Sequence, residues 1–331
     1  MRLDIVVPDW AERLASDLTD MDRAPVVVEP GEVVSYDLPD DVYFEYAFSD
    51  ETGTLLPDPA VEERAMTIWY GEVSAVRGPA YRQDELAMPP PDLTLGTTDR
   101  LRLQSAAMGG QTRRVSVYTP AGAPDEPLPL VVVQDGVAAY RTGKVHQVAQ
   151  ALVDRGETRH ARFAFLEPVD RLVEYAFDDT YQDFMHDELL PHLHDAYALD
   201  GDLVWLGFSL GGLASARAAR RVAGRAAAGE ARRNTVVAFS GAFKGVPADS
   251  DPYRAERSWL LETIDDPSVD IPADWYLEVG TLEWLLAVNR RAAQALEERG
   301  ANVVLRERSA GHNWTSWRNG IPDALRFALG R

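Results

Sequence analysis

Residues 203–216, Leu-Val-Trp-Leu-Gly-Phe-Ser-Leu-Gly-Gly-Leu-Ala-Ser-Ala, put a serine between two glycines where a β-branched and aromatic run gives way to an alanine-rich one. Leu203 to Leu206 reads as a short buried strand, and Leu213, Ala214, Ala216, Ala218 and Ala219 read as a small-residue helix able to lie close on a sheet. A serine at such a junction sits on a strained strand-to-helix turn, with its hydroxyl pushed out at the edge of the sheet. Gly207 and Gly211 are then required, because a side chain at either would strike the neighbouring strand or helix. Ser209 is the candidate nucleophile.

Hydrolases built on this turn carry nucleophile, acid and histidine in that chain order, each on a loop beyond a successive strand. Of the six histidines, at 146, 160, 186, 192, 194 and 312, only His312 follows Ser209. It lies in Ser309-Ala310-Gly311-His312-Asn313-Trp314, a loop after the alternating run Asn302 to Arg306. For the acid, Trp275 to Gly280 reads as a strand and Thr281-Leu282-Glu283 as the loop beyond it. Glu283 is therefore expected to accept the Nδ1 proton of His312 and stabilise the imidazolium. It also stands near the start of a helix running to about Arg299, where a carboxylate is favoured by the helix dipole in any case. Glu278 is the second choice, aimed elsewhere by strand alternation.

Several segments together resemble a known family. They are Ser105 to Gly110 running on to Arg113–Pro120, then Asp135-Gly136, Glu188–Pro191, Gly207–Gly212, Glu278–Glu283, and Gly311–Trp314 with Trp317-Arg318. The chain from about residue 96 to 331 is similar to the putative-esterase family that contains enterochelin esterase and esterase D. It is nearest the enterochelin-esterase branch, whose members carry a β-sandwich ahead of the hydrolase domain. The resemblance implies Ser209 as nucleophile, His312 as base and Glu283 at the acid position. Some relatives work with a Ser-His pair, which leaves open whether Glu283 is essential.

Composition fits a folded enzyme. The 331 residues leave room for a hydrolase domain of about 235 residues and one small domain. No run approaches the ~18 uninterrupted apolar residues of a membrane span. Met1 to Trp10 carries acidic residues and a proline where a signal peptide needs an apolar core, so the expected compartment is the cytoplasm. The absence of cysteine excludes disulfides, thiolate metal sites and thiol nucleophiles. A net charge of -20 argues against nucleic acid or an anionic membrane as partner. A homo-oligomer is left open, and neither cofactor nor metal is expected, since His192 and His194 lack the i,i+4 spacing of a helical metal pair.

From about Ala24 to Ala80 the signals are strands, at Val26–Val28, Val42–Phe48 and Met66–Tyr70, separated by turn residues. Residues 1–81 are read as an amino-terminal region with a small β-sandwich of immunoglobulin-like, early-set type, and 82–95, with Met88-Pro89-Pro90-Pro91, as a linker. Residues 96–331 are read as a doubly wound α/β-hydrolase domain. Its strands are placed at 100–105, 113–119, 129–134, 162–167, 203–207, 235–239, 274–279 and 302–307. Helices are placed near 143–155, 179–197, 210–225, 254–264, 283–299 and 321–330, and Val222 to Arg233 is expected to end a helix in an exposed turn.

The oxyanion donors are expected to be the N–H of Leu210 and that of Gly136 or Val137. Asp135 is read as shaping its turn. Arg171 is a candidate anion clamp, with pairing to Glu174 as its structural alternative. Trp284 and Trp314 are candidate pocket walls. The expected activity is ester hydrolysis through an acyl-enzyme, on a small-molecule substrate. The resemblance implies a catecholate siderophore lactone; a general carboxylesterase acting on small aryl, acyl or carbohydrate-linked esters is the alternative, and a non-catalytic binding protein on the same fold is the alternative of another class. The amino-terminal region, with no histidine and no serine in such a turn, is expected to narrow the pocket mouth and select substrate without taking part in the chemistry.

Overall fold

The computed structural model describes residues 1–226, 233–247, 249 and 255–330. Sixteen strands among them form three sheets. The first eight are β1 (Arg2–Val6), β2 (Arg13–Ser16), β3 (Val26–Val27), β4 (Val33–Asp37), β5 (Tyr43–Ser49), β6 (Leu55–Leu56), β7 (Arg64–Thr67) and β8 (Gly71–Arg77). β1 and β4 make a two-stranded antiparallel ladder, and the other six make a sheet ordered β3-β2-β5-β8-β7 with β6 on β5. Ile5 and Val7 from one layer meet Leu14, Phe44, Tyr46 and Phe48 from the other, so the two sheets close over a shared apolar core. The sandwich thus begins at Arg2, well before Ala24. β1 escapes a periodicity search because five residues of mixed polarity cover only one face.

The other eight are β9 (Thr97–Ser105), β10 (Gln111–Thr119), β11 (Leu128–Val133), β12 (Arg162–Leu166), β13 (Leu199–Phe208), β14 (Asn234–Phe239), β15 (Asp274–Gly280) and β16 (Asn302–Arg308). Their order is β16-β15-β14-β13-β11-β12-β10-β9; β9 and β10 pair antiparallel, and every pairing from β12 through β16 is parallel. The interior strands are apolar on both faces, as a sheet covered on both sides requires. Leu203 and Trp205 enter one core while Val204, Leu206 and Phe208 enter the other. Each large side chain buried in this way contributes about 2 kcal/mol of hydrophobic stabilisation.

The helices are α1 (Gly136–Arg141), α2 (Val145–Asp154), α3 (Arg171–Ala176), α4 (Asp179–Asp183), α5 (Leu190–Ala196), α6 (Leu210–Ala226), α7 (Trp259–Asp265), α8 (Leu286–Glu298) and α9 (Trp314–Leu329). Residues of α6 and α8 line the first core, and those of α2 and α9 the second, which is the doubly wound arrangement. The helix expected over 179–197 is present but passes through a π-helical stretch, Phe184–Leu189, just before Pro191. α1 and α3 are six residues each, too short for a helical period to show. α9 begins at Trp314, not near 321, because Asn313 caps it by accepting the N–H of Ser316 (2.8 Å). The turn expected up to Arg233 lies largely outside the described residues.

The proline-rich segment after β8 is not a free tether. Glu85–Ala87 forms a 3-10 turn that buries Leu86, and Asn319 of α9 donates to the carbonyl of Arg82 (3.1 Å). No helix among the described residues is long and apolar enough to cross a membrane.

Candidate active site

Of the six non-glycine residues in the left-handed region among the described residues, all but Lys144, which precedes α2, gather at one place. Asp135 follows β11, Ser209 follows β13 and Ser240 follows β14, with φ of 54°, 55° and 48°. Asp20 and Met21, at 53° and 52°, face the same cavity from the amino-terminal sandwich. Each such residue costs about 1–2 kcal/mol, and a cluster of them marks backbone held for function.

Ser209 is fixed on both sides. Its N–H donates to the carbonyl of Phe239 (2.8 Å), and its own carbonyl accepts from Ala242 (3.0 Å). A Cβ on Gly207 would lie 2.0 Å from the carbonyl oxygen of Gly211, so the expected close approach of strand and helix is present. The serine is 4% exposed and opens on a cavity of about 100 Å3 that it shares with Asp17, Trp69, Arg171, Trp284 and His312.

His312 and Glu283 are joined: Nδ1 lies 2.5 Å from Oε2. The other carboxylate oxygen accepts from the Ser240 hydroxyl (2.6 Å) and the Gly280 N–H (2.6 Å). Trp317 in turn donates Nε1–H to Ser240 Oγ (2.8 Å). These bonds fix the Glu283 carboxyl and aim it at the imidazole, whose ring is flanked by Trp284 at 4.6 Å and by the edge-on Trp317 at 4.9 Å. Glu278 is committed elsewhere, accepting from Arg308 Nε (2.8 Å) and the Tyr276 hydroxyl (2.9 Å). The structure therefore separates the two candidate acids. Ser240 and the orienting role of Trp317 belong to no motif; the only sequence signal for Ser240 is its place beyond the strand next to β13.

The other histidines stand apart. His146, for one, is buried flat against Tyr140 at 3.6 Å, and burial pulls its pKa down to about 4.

Of the expected oxyanion donors, Leu210 and Gly136 open α6 and α1, so their N–H groups have no acceptor within their helices. Val137 does not serve: its N–H donates to Glu167 Oε2 (2.8 Å). Arg171 reaches the cavity of Ser209, but its partner is Asp135 and not Glu174. Nε and Nη2 bind the two Asp135 oxygens at 2.7 and 2.8 Å, and Nη2 also donates to the carbonyl of Phe208 (3.1 Å). Glu174 is instead buried against Arg113, at 2.8 and 2.6 Å. Local sequence spacing favoured Arg171–Glu174; the fold brings Asp135 and Arg113 in from other strands. Asp135 thus holds Arg171 as well as turning the chain, and the Tyr175 hydroxyl accepts its N–H (2.7 Å). Trp284 lines the cavity as expected. Trp314 does not border it; it is buried against Phe208 and Trp317 and reaches only the two flanking cavities. Among the described residues no group of three or more His, Cys, Asp or Glu is placed to hold a metal ion.

The sandwich does more than narrow the mouth. A Cβ on Gly311 would lie 2.1 Å from the Asp17 carboxyl, and Tyr43 donates its N–H to Ser309 (2.8 Å), so the loop carrying His312 rests on β5 and the turn after β2. Asp17 accepts the N–H of Glu45 (2.8 Å), and Glu45 accepts the hydroxyl of Tyr43 (3.0 Å). Burial raises the pKa of both acids, that of Glu45 to about 7. The folded protein therefore keeps a proton that the unfolded chain releases above about pH 4.5. The stability this provides is complete below that pH and is lost as pH rises through about 7. Glu45→Gln should flatten the slope and raise stability near pH 8 by about 1–2 kcal/mol, with little gain at pH 5. Urea unfolding at the two pH values checks this; an equal change at both would refute it.

The profile of the family described as Putative esterase matches residues 105–328. No curated protein matches the chain in sequence. Among solved structures, the chain is similar to the ferric enterobactin esterase of Salmonella typhimurium at TM-score 0.76 and 18% identity, over 99% of this chain and 92% of that one. It is similar to the enterobactin esterase of Shigella flexneri, in the presence of enterobactin, at TM-score 0.72 and 18% identity, over 98% and 91%. A ferulic acid esterase aligns at TM-score 0.57 and 19% identity, over 71% of this chain and 98% of that one.

Proposed function

This chain belongs to the Putative esterase family and is a carboxylic ester hydrolase, and on that premise we propose that Ser209 attacks the ester carbonyl with His312 as its base. Nε2 of His312 takes the hydroxyl proton as Oγ bonds to the carbonyl carbon, and Glu283 holds the imidazolium by its Nδ1 proton. The N–H groups of Leu210 and Gly136 stabilise the oxyanion, the alcohol leaves with the proton from Nε2, and water activated by the same nitrogen releases the acid from the acyl-enzyme. One observation carries this reading: the Glu283–His312 pair, at 2.5 Å, opens on the same cavity as a serine held at φ 55°.

A catecholate siderophore lactone is the favoured substrate class, supported by the likeness to two enterobactin esterases across the sandwich as well as the hydrolase sheet. Such an anion must enter a protein of net charge -20, and at the cavity Arg23 is paired with Asp20 (3.4 Å) and Arg171 with Asp135 (2.7 Å), so these cations offset their neighbouring acids and leave little surplus charge. A general aryl or acyl esterase is the second reading, favoured by the roughly 100 Å3 size of the cavity at Ser209.

A fluorophosphonate probe should label Ser209, located by peptide mass spectrometry. Turnover of short aryl esters and of a catecholate trilactone then separates the substrates. Absence of label on folded, active protein would end the serine mechanism; cleavage of aryl esters without the trilactone would decide for the general esterase.

A further inference from the structure

Trp69 sits on the turn between β7 and β8, 44% exposed, stacked towards His312 at 6.4 Å and edge-on to Trp317 at 6.0 Å. The turn is tight: Thr67 Oγ1 accepts the N–H of Tyr70 (2.8 Å), and Gly71 takes φ 76°. Trp69 borders three cavities, that of Ser209 and two flanking ones of about 190 and 220 Å3. An ester has two arms diverging from its carbonyl, so a serine cleft needs room on two sides.

The flanks differ in chemistry. The larger is walled by Ile68, Ala138, Val169, Phe208 and Trp317; its Arg171 and Asp135 neutralise each other, and its one further acid, Glu167, accepts the N–H of Val137 (2.8 Å) and has its pKa raised by burial. The smaller holds Arg64, Arg77 and Arg318 against Glu45 and Glu63. Arg77 is paired with Glu63 (2.8 Å), and Arg64 donates to the carbonyl of Asp58 (2.9 Å). Arg318 donates to the neutral hydroxyl of Thr315 (3.4 Å), and burial opposes its charge. Glu45, with a pKa near 7, offsets that charge only in part at neutral pH. A half-buried guanidinium with a weak neutral partner is a site for an incoming anion, and guanidinium suits a carboxylate's two oxygens.

We propose that Trp69 partitions the substrate, holding an apolar or aromatic arm of an unsymmetrical ester beside Ile68, Val169 and Phe208 and an anionic arm against Arg318, with the scissile carbonyl at Ser209 between them. This rests on the esterase reading above. It assigns the sandwich a specificity-determining side chain and gives the cleft a chemical polarity.

The probes are phenyl butyrate and monophenyl succinate, which differ at the acyl terminus by a methyl and a carboxylate. Wild-type protein should favour the succinate in kcat/KM, and Arg318→Gln should lower that preference about tenfold, mainly through KM. Arg318→Lys should recover part of it, and Trp69→Ala should lower it with Trp69→Phe in between. Binding is read separately by calorimetry in a Ser209→Ala background, where Arg318→Gln should weaken the succinate about tenfold more than the butyrate. Circular dichroism confirms folding. Preferences unmoved by Arg318→Gln and Trp69→Ala, in turnover and binding alike, overturn the partition while leaving the esterase mechanism standing. Wild-type turnover retained by Ser209→Ala strikes the mechanism, and the binding arm still decides the partition.

Discussion

Ser209→Ala should lower kcat for a phenyl ester by about 10^6-fold while leaving the protein folded. The loss is large because serine, imidazole and carboxylate act as a unit, and without Oγ there is no covalent intermediate for the others to serve. What remains should be about 10^3-fold over water, supplied by binding and by the N–H groups of Leu210 and Gly136. The fold should survive because alanine keeps the Cβ, and the backbone bonds of residue 209 to Phe239 and Ala242 do not involve the hydroxyl. The melting temperature should move by no more than about 2 °C, in line with the small stability change. Turnover within tenfold of wild type, on protein free of contaminating esterase, would remove Ser209 from the chemistry.

The parts of the site that were legible in the sequence are those fixed by local geometry and chain order. Gly207, Ser209 and Gly211 mark a turn because a buried apolar run ends and a small-residue helix begins around them, and His312 stands out as the sole histidine after it. The eight core strands were legible because apolar runs of six or so residues separated by helical stretches have few alternative arrangements. The partners that cross between strands were not. Asp135 holding Arg171, Arg113 holding Glu174 and Ser240 holding Glu283 each join residues 36 or more positions apart, and nothing in local spacing marks them. The outer strands of the sandwich are illegible in the sequence for a similar reason. β1, β4 and β6 are brief edge or ladder strands whose burial comes from the opposite layer, so their own alternation is weak. Its bracing of the histidine loop, through Asp17 against Gly311 and Tyr43 on Ser309, depends on an interface that no periodicity encodes.

Glu283→Gln should cost about 10^3 to 10^4 in kcat, more than the loss of a charge alone suggests. The reason lies in which way the amide must face. Oε1 of Glu283 accepts the N–H of Gly280 (2.6 Å), a backbone donor that cannot reverse its role, so the glutamine oxygen is held on that side and also keeps the Ser240 hydroxyl bond. The amide NH2 then replaces Oε2 and points its hydrogens at Nδ1 of His312. Nδ1 can accept only if the ring proton moves to Nε2, the nitrogen that must be bare to take the proton of Ser209. Glutamine thus locks in the wrong tautomer, whereas Glu283→Ala leaves the ring free to choose and should retain more activity than Glu283→Gln. The ordering Gln below Ala is the decisive measurement, taken from kcat for one aryl ester with folding verified for each variant. A loss under about tenfold in both would show that Ser209 and His312 suffice as a pair, leaving Glu283 a structural anchor for the loops after β14 and β15.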